Sequence, residues 1–143
     1  MNTTRKALQP NHVGSALTRA AGLGALLWGV VFAVASALYP WSVVNRPLFD
    51  SFKAVVLAST TTCVAIAYLR GLQGHILTRV ILASALWPVT CVALDLVVFM
   101  AAPPSVSLSQ YFASTSLSYL MIPPIVLGLA YQRLRSEGRS LPA

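Results

Sequence analysis

The stretch Val80-Ile-Leu-Ala-Ser84-Ala-Leu-Trp87-Pro88-Val-Thr-Cys91-Val-Ala-Leu-Asp95-Leu-Val-Val-Phe-Met100-Ala101 decides how this chain folds. It has the length a helix needs to cross hydrocarbon, about 20 mostly apolar residues. One residue does not belong in lipid. A carboxyl group at Asp95 must be paired, protonated or open to a water-filled cavity, because hydrocarbon cannot solvate its charge. Counting back from Asp95 by four, seven and eleven reaches Cys91, Pro88 and Ser84, which share its helical face. The segment is therefore a membrane helix with one mildly polar stripe, and such a stripe faces other helices.

Three further apolar runs flank this one. The spans are expected at about Ala20–Tyr39, Pro47–Leu69, Val80–Ala101 and Tyr111–Gln132. The breaks carry turn chemistry in Tyr39-Pro40-Trp41, Gly71-Leu-Gln-Gly74 and Ala102-Pro103-Pro104-Ser105. Composition agrees with the runs. Charged residues are 9% of the 143 and mean hydropathy is +0.73, against roughly 25% charged in soluble chains. So little polar surface cannot cover a fold in water. The predicted fold is all-α, one polytopic membrane domain over residues 1–143, built as a four-helix transmembrane bundle.

The net charge of +7 belongs to the ends of the runs. Arg5, Lys6 and Arg19 precede the first span, Arg70 and Arg79 bracket the second loop, and Arg133, Arg135 and Arg139 follow the fourth span. The positive-inside rule then puts both termini in the cytoplasm. No basic stripe with interleaved aromatics is present, so the expected partner is the lipid bilayer and not nucleic acid. The start of the chain also resembles a signal peptide, with small-residue sites at Ala33-Val-Ala35 and Ala35-Ser-Ala37. The apolar run continues past them to Tyr39, which favours a span. Gly22, Ala25, Gly29, Ala33 and Ser36 recur every three or four residues. Gly22, Gly29 and Ala33 are thus candidate helix-packing positions, for a neighbour, a second copy or a larger membrane complex.

Matching depths suggest company for Asp95. With the spans antiparallel in turn, Lys53 and Asp95 both lie about 9 Å below the outer surface, at roughly 1.5 Å per residue. Arg46 and Asp50 share the Lys53 face, while Tyr111, Ser114 and Ser118 start the fourth span from the same side. The candidate intramembrane cluster is Asp95, Lys53, Asp50, Arg46, Tyr111, Ser114 and Ser118. An intramembrane Asp or Lys costs about 2.5–3.5 kcal/mol, and a close pair regains about 4 kcal/mol at an effective dielectric near 20. A Lys53–Asp95 bridge would therefore roughly cancel its own cost and act as an interhelical clamp. The competing use of the same groups is a cavity open to the outside that binds an ion, a proton or a cationic ligand.

No chemistry beyond this is legible. The chain has no GxSxG, HExxH, P-loop or dinucleotide-binding glycine fingerprint, and no enzyme activity, metal site or cofactor is expected. Cys63 and Cys91 sit inside spans at depths about two helical turns apart, which argues against a disulfide.

Leu94-Asp95, the following loop, Tyr111-Phe112 and Leu117-Ser-Tyr119-Leu-Met-Ile122-Pro123 resemble small uncharacterised four-span membrane proteins of bacteria. The resemblance covers the last third of the chain. It implies four spans and a bacterial cytoplasmic membrane, and carries no activity with it. Small multidrug exporters of similar size depend on a glutamate in the first span, which this chain lacks. Quinone-linked thiol oxidases need paired cysteines, which are also missing. The basic, glycine-rich signature of fluoride channels is not found either. The reading is a non-enzymatic accessory or assembly subunit, the alternative a small transporter, channel or ligand-binding protein using Asp95.

Overall fold

A computed structural model of the chain describes residues 11–72, 76–101 and 116–139. These residues are helical, with no strand among them. In order they form α1 (Asn11–Ala37), α2 (Tyr39–Val44), α3 (Arg46–Arg70), α4 (Ile76–Ala101), a 3₁₀ turn (Ser116–Met121) and α5 (Ile122–Arg139). Three stretches are long and apolar enough to cross a membrane: Leu17–Ala37, Arg46–Arg70 and Ile76–Ala101.

Local chemistry sets the boundaries. Pro40 lacks an N–H, so it sits in the first turn of α2, where that group would have no helical acceptor. The expected turn at Tyr39-Pro40-Trp41 is thus one short helix. Asn45 has an extended backbone, and its side chain accepts from the Leu48 N–H at 3.2 Å, capping α3 with Pro47 in the first turn. α3 closes at Gly71 and Leu72, whose N–H groups reach the carbonyls of Tyr68 and Leu69 at 3.2 and 3.1 Å. Pro123 and Pro124 do not break the last helix in its middle. They fall in the first turn of α5, directly after the 3₁₀ turn. Residues 111–115, the expected start of that segment, lie outside the described residues, and α5 continues past Gln132 to Arg139.

α1 packs chiefly against α4 and α3, and α5 packs chiefly against α4 and α3. The buried centre is made by Leu27 and Val31 of α1, Leu57 of α3, Trp87 of α4, and Ile122 and Val126 of α5. The outer surface is apolar too. Leu26, Val55, Ile81, Val89, Val97 and Leu120 are all exposed, an outer surface compatible with a hydrocarbon surround.

Gly24 of α1 is pressed against α4. A Cβ there would lie 3.3 Å from both Thr90 Cβ and Trp87 Cδ1. Gly22 and Gly29 differ from the sequence expectation: a Cβ at either would meet nothing within 4 Å, and Ala33 is exposed. α1 meets its neighbours through Ala20, Gly24, Leu27 and Val31, which lie on a different face. The small residues at 22, 29 and 33 are turned away from the other described helices.

Thr61 of α3 is fully buried, and its Oγ1 has no hydrogen-bond partner among the described residues. A buried hydroxyl without a partner costs about 1–3 kcal/mol. Thr61→Val keeps the shape and removes that group. It is expected to leave thermal stability in detergent unchanged or to raise it by about 1 kcal/mol. A clear loss in a melt would show that the hydroxyl is satisfied in the membrane.

Candidate functional site

α4 binds α1 through a ladder with a four-residue step. Trp87 Nε1 donates to the Ala20 carbonyl oxygen at 2.9 Å. One turn further, the Cys91 thiol approaches the Gly24 carbonyl oxygen at 3.9 Å. A turn beyond that, Trp28 Nε1 donates to Asp95 Oδ1 at 2.6 Å. Each contact joins residues 67 apart in sequence. A constant separation means that the two helices run parallel. The polar stripe through Ser84, Cys91 and Asp95 therefore lies on the side of α4 that meets other helices, and Trp87 belongs to it.

Asp95 is half-buried, and its second oxygen is also engaged. Tyr119 of the 3₁₀ turn donates its hydroxyl to Asp95 Oδ2 at 2.7 Å. Tyr119 is buried, whereas Trp28 is half-buried and stacked on Phe32 with ring centroids 4.8 Å apart. One carboxyl group thus ties α1, α4 and the segment leading into α5. Both bonds are short, as expected when a carboxylate accepts from N–H or O–H in a medium with little competing water.

The expected cluster divides in two. Lys53 turns to its own helix, 3.5 Å from Asp50 Oδ1 and 5.8 Å from the centroid of the Phe49 ring. The physical reason is proximity. Asp50 lies one turn away on the same face, whereas Asp95 is already held by two donors from other elements. Arg46 is exposed at the start of α3, and Ser118 is half-buried beside Tyr119. Tyr111 and Ser114 lie outside the described residues. The Asp50 side chain is 52% exposed, so the pair with Lys53 resembles a surface salt bridge of about 0–1 kcal/mol. Lys53→Gln is accordingly expected to cost less than about 0.5 kcal/mol, with no energetic coupling to a change at Asp95. Coupling above about 0.5 kcal/mol in a double-mutant cycle would restore the bridge expected from the sequence.

Trp28 and Tyr119 are the two residues that sequence reasoning missed. A signal for Trp28 was present. An indole N–H inside an apolar span needs an acceptor, and α1 and α4 both run outward in the expected topology. Trp28 and Asp95 then lie about 16 and 9 Å below their outer ends at roughly 1.5 Å per residue, a difference comparable to the length of an indole side chain. Tyr119 lies one residue beyond Ser118, and the 3₁₀ turn alters which residue of that segment faces α4.

Cys63 is exposed and Cys91 buried, both as free thiols. Among the described residues no group of His, Cys, Asp and Glu could hold a metal ion. No family model, curated protein or solved structure matches the chain.

Proposed function

We propose that the chain is a small, non-enzymatic integral membrane protein of a bacterial cytoplasmic membrane that serves as an accessory or assembly subunit. Its fold would be a four-helix transmembrane bundle with both termini cytoplasmic, the fourth span formed by the 3₁₀ turn and α5 together. The observation that carries this reading is the engagement of both Asp95 oxygens, by Trp28 and by Tyr119. The group most costly to place in lipid holds three elements in register, which is the work of a clamp.

Two features support the rest. Arg19 lies over Gly71, and Arg133 bonds the carbonyl of Leu69, so cations from different helices gather at one end. The positive-inside rule assigns that end to the cytoplasm. The face of α1 bearing Gly22, Gly29 and Ala33 is left open among the described residues, and small residues are what allow membrane helices to approach closely.

Self-association is tested with Cys63 and Cys91 replaced by serine and a single cysteine placed by Ala33→Cys. Oxidation in native membranes is expected to give a disulfide-linked dimer. Leu27→Cys, on the face buried against α4, is expected to give none. Equal crosslinking at both positions, or none at Ala33→Cys in folded protein, would remove the second copy from the proposal.

One observation favours the alternative of a transporter, channel or ligand-binding protein. Tyr119, which holds Asp95, also walls an apolar groove of about 580 Å³ between α4 and the 3₁₀ turn. In sealed proteoliposomes the clamp reading expects no cation or proton flux that depends on Asp95. A flux abolished by Asp95→Asn in a protein that stays folded would assign Asp95 to transport.

A further inference from the structure

The basic end of the molecule holds a second constellation, remote from Asp95. There α3 ends at Arg70 and α5 carries Arg133, which donates an N–H to the Leu69 carbonyl oxygen. Between the two helices lies a groove of about 410 Å³, within the range of ligand sites. Ile66, Leu69 and Leu129 make its apolar wall, and Arg70 and Arg133 complete its lining. The Arg19 guanidinium lies over Gly71 just beyond, and Arg79 contributes its carbonyl oxygen to the Tyr68 hydroxyl at 3.5 Å. Cations from four helices therefore meet at this end. The nearest acid on α3, Asp50, is about 30 Å away at roughly 1.5 Å per residue.

The end of a helix repels anions through its unpaired carbonyls. Here two of them are engaged: the Gly71 and Leu72 N–H groups and Arg133 reach Tyr68 and Leu69. The guanidiniums of Arg70 and Arg133 line the mouth of the groove, and the one acid of α5, Glu137, follows Arg133 by a turn. A guanidinium carries five N–H donors in a planar fork, the geometry that matches phosphate oxygens. The groove beside Tyr119 has no charged residue in its lining, so an apolar chain could lie there whatever its headgroup.

We infer that the groove between α3 and α5 binds an anionic phospholipid, with an acyl chain against Ile66, Leu69 and Leu129 and the phosphate between Arg70 and Arg133. Charge at one end and an apolar wall running into the bilayer are the two halves of a lipid molecule. Basic pockets between membrane helices on the cytoplasmic side hold such headgroups. The inference rests on the membrane reading and is independent of the Asp95 clamp.

The test uses the full chain in a neutral detergent, with bound lipid counted by native mass spectrometry. Phosphatidylglycerol and phosphatidylcholine with identical acyl chains are the probes. Phosphatidylglycerol is expected to bind about tenfold more tightly. Arg70→Gln with Arg133→Gln should bring it down to the phosphatidylcholine level. Arg70→Gln alone leaves the Arg133–Leu69 bond intact and should remove about threefold, so the result does not depend on the double variant folding. Ile66→Trp should displace phosphatidylglycerol without changing charge, and Arg135→Gln, outside the groove, should change nothing. Equal binding of the two lipids, or an equal loss with Arg135→Gln, overturns the site. Displacement of phosphatidylglycerol by millimolar inorganic phosphate would reassign the arginines to a free anion. Alkali-resistant flotation with phosphatidylcholine liposomes separates the two readings. A chain that does not float fails the membrane reading, and one that floats without preferring phosphatidylglycerol fails only this inference.

Discussion

Asp95→Leu is expected to lower resistance to unfolding by about 1–3 kcal/mol while raising the amount of chain inserted in the membrane. The loss follows from two orphaned donors, Trp28 Nε1 and the Tyr119 hydroxyl. Hydrogen bonds between membrane helices are worth about 0.6 kcal/mol on average and up to about 1.7, and two are removed. The gain follows from the cost of an aspartate at depth, about 2.5–3.5 kcal/mol on insertion. The two effects act at different stages, so unfolding in mixed micelles, and not expression, is the informative measurement. Asp95→Asn can keep its oxygen on Trp28 Nε1 and donate its N–H to the Tyr119 hydroxyl, which also accepts, so less than about half the loss is expected. Adding Trp28→Phe and Tyr119→Phe to Asp95→Leu should recover most of the stability, because both partners then become apolar. If the three changes simply add, the carboxyl group and its two donors are not acting together.

Trp87→Ala is expected to have the largest effect of any single truncation, about 3–5 kcal/mol. Trp87 is fully buried and is the largest side chain in the centre. Its ring meets Tyr68 edge-on at 5.7 Å, and its indole N–H reaches α1 at the Ala20 carbonyl. Removing it opens a cavity against α3 and cuts a rung of the ladder to α1. Trp87→Phe keeps most of the ring and should cost about 1–2 kcal/mol, the missing bond plus a small void. Melting curves in detergent would measure both. A Trp87→Phe variant as unstable as Trp87→Ala would mean that the indole N–H, and not the ring, holds the helices.

The sequence made the long apolar helices legible, because hydrocarbon admits so few solutions for a run such as Val80–Ala101. It also located the face of α4 that turns inward, since Asp95, Cys91 and Ser84 share a phase. The identity of the partners was harder to read. Depth and opposite charge pointed from Asp95 to Lys53, yet the nearer carboxyl for Lys53 is Asp50 on its own helix. Trp28 and Tyr119, which bond Asp95, are neutral, and an indole or phenol in an apolar run reads first as an apolar filler. Gly24 was passed over for a related reason. Spacing alone favoured Gly22, Gly29 and Ala33, and only packing distinguishes a glycine pressed on Thr90 and Trp87 from one facing outward.

The parallel register of α1 and α4 has a consequence for the order of synthesis. A helix and its next neighbour in sequence can pair as soon as the loop between them closes. α1 cannot complete its ladder that way, because each rung waits for a residue made 67 positions later, after α3 has crossed back. On the proposed membrane reading, the indole of Trp28 enters the bilayer before its acceptor, Asp95, has been made available. On that reading the nascent chain passes through a stage at which its first helix can meet α3 while its ladder to α4 is still unmade. Arresting translation between α3 and α4 would hold it there.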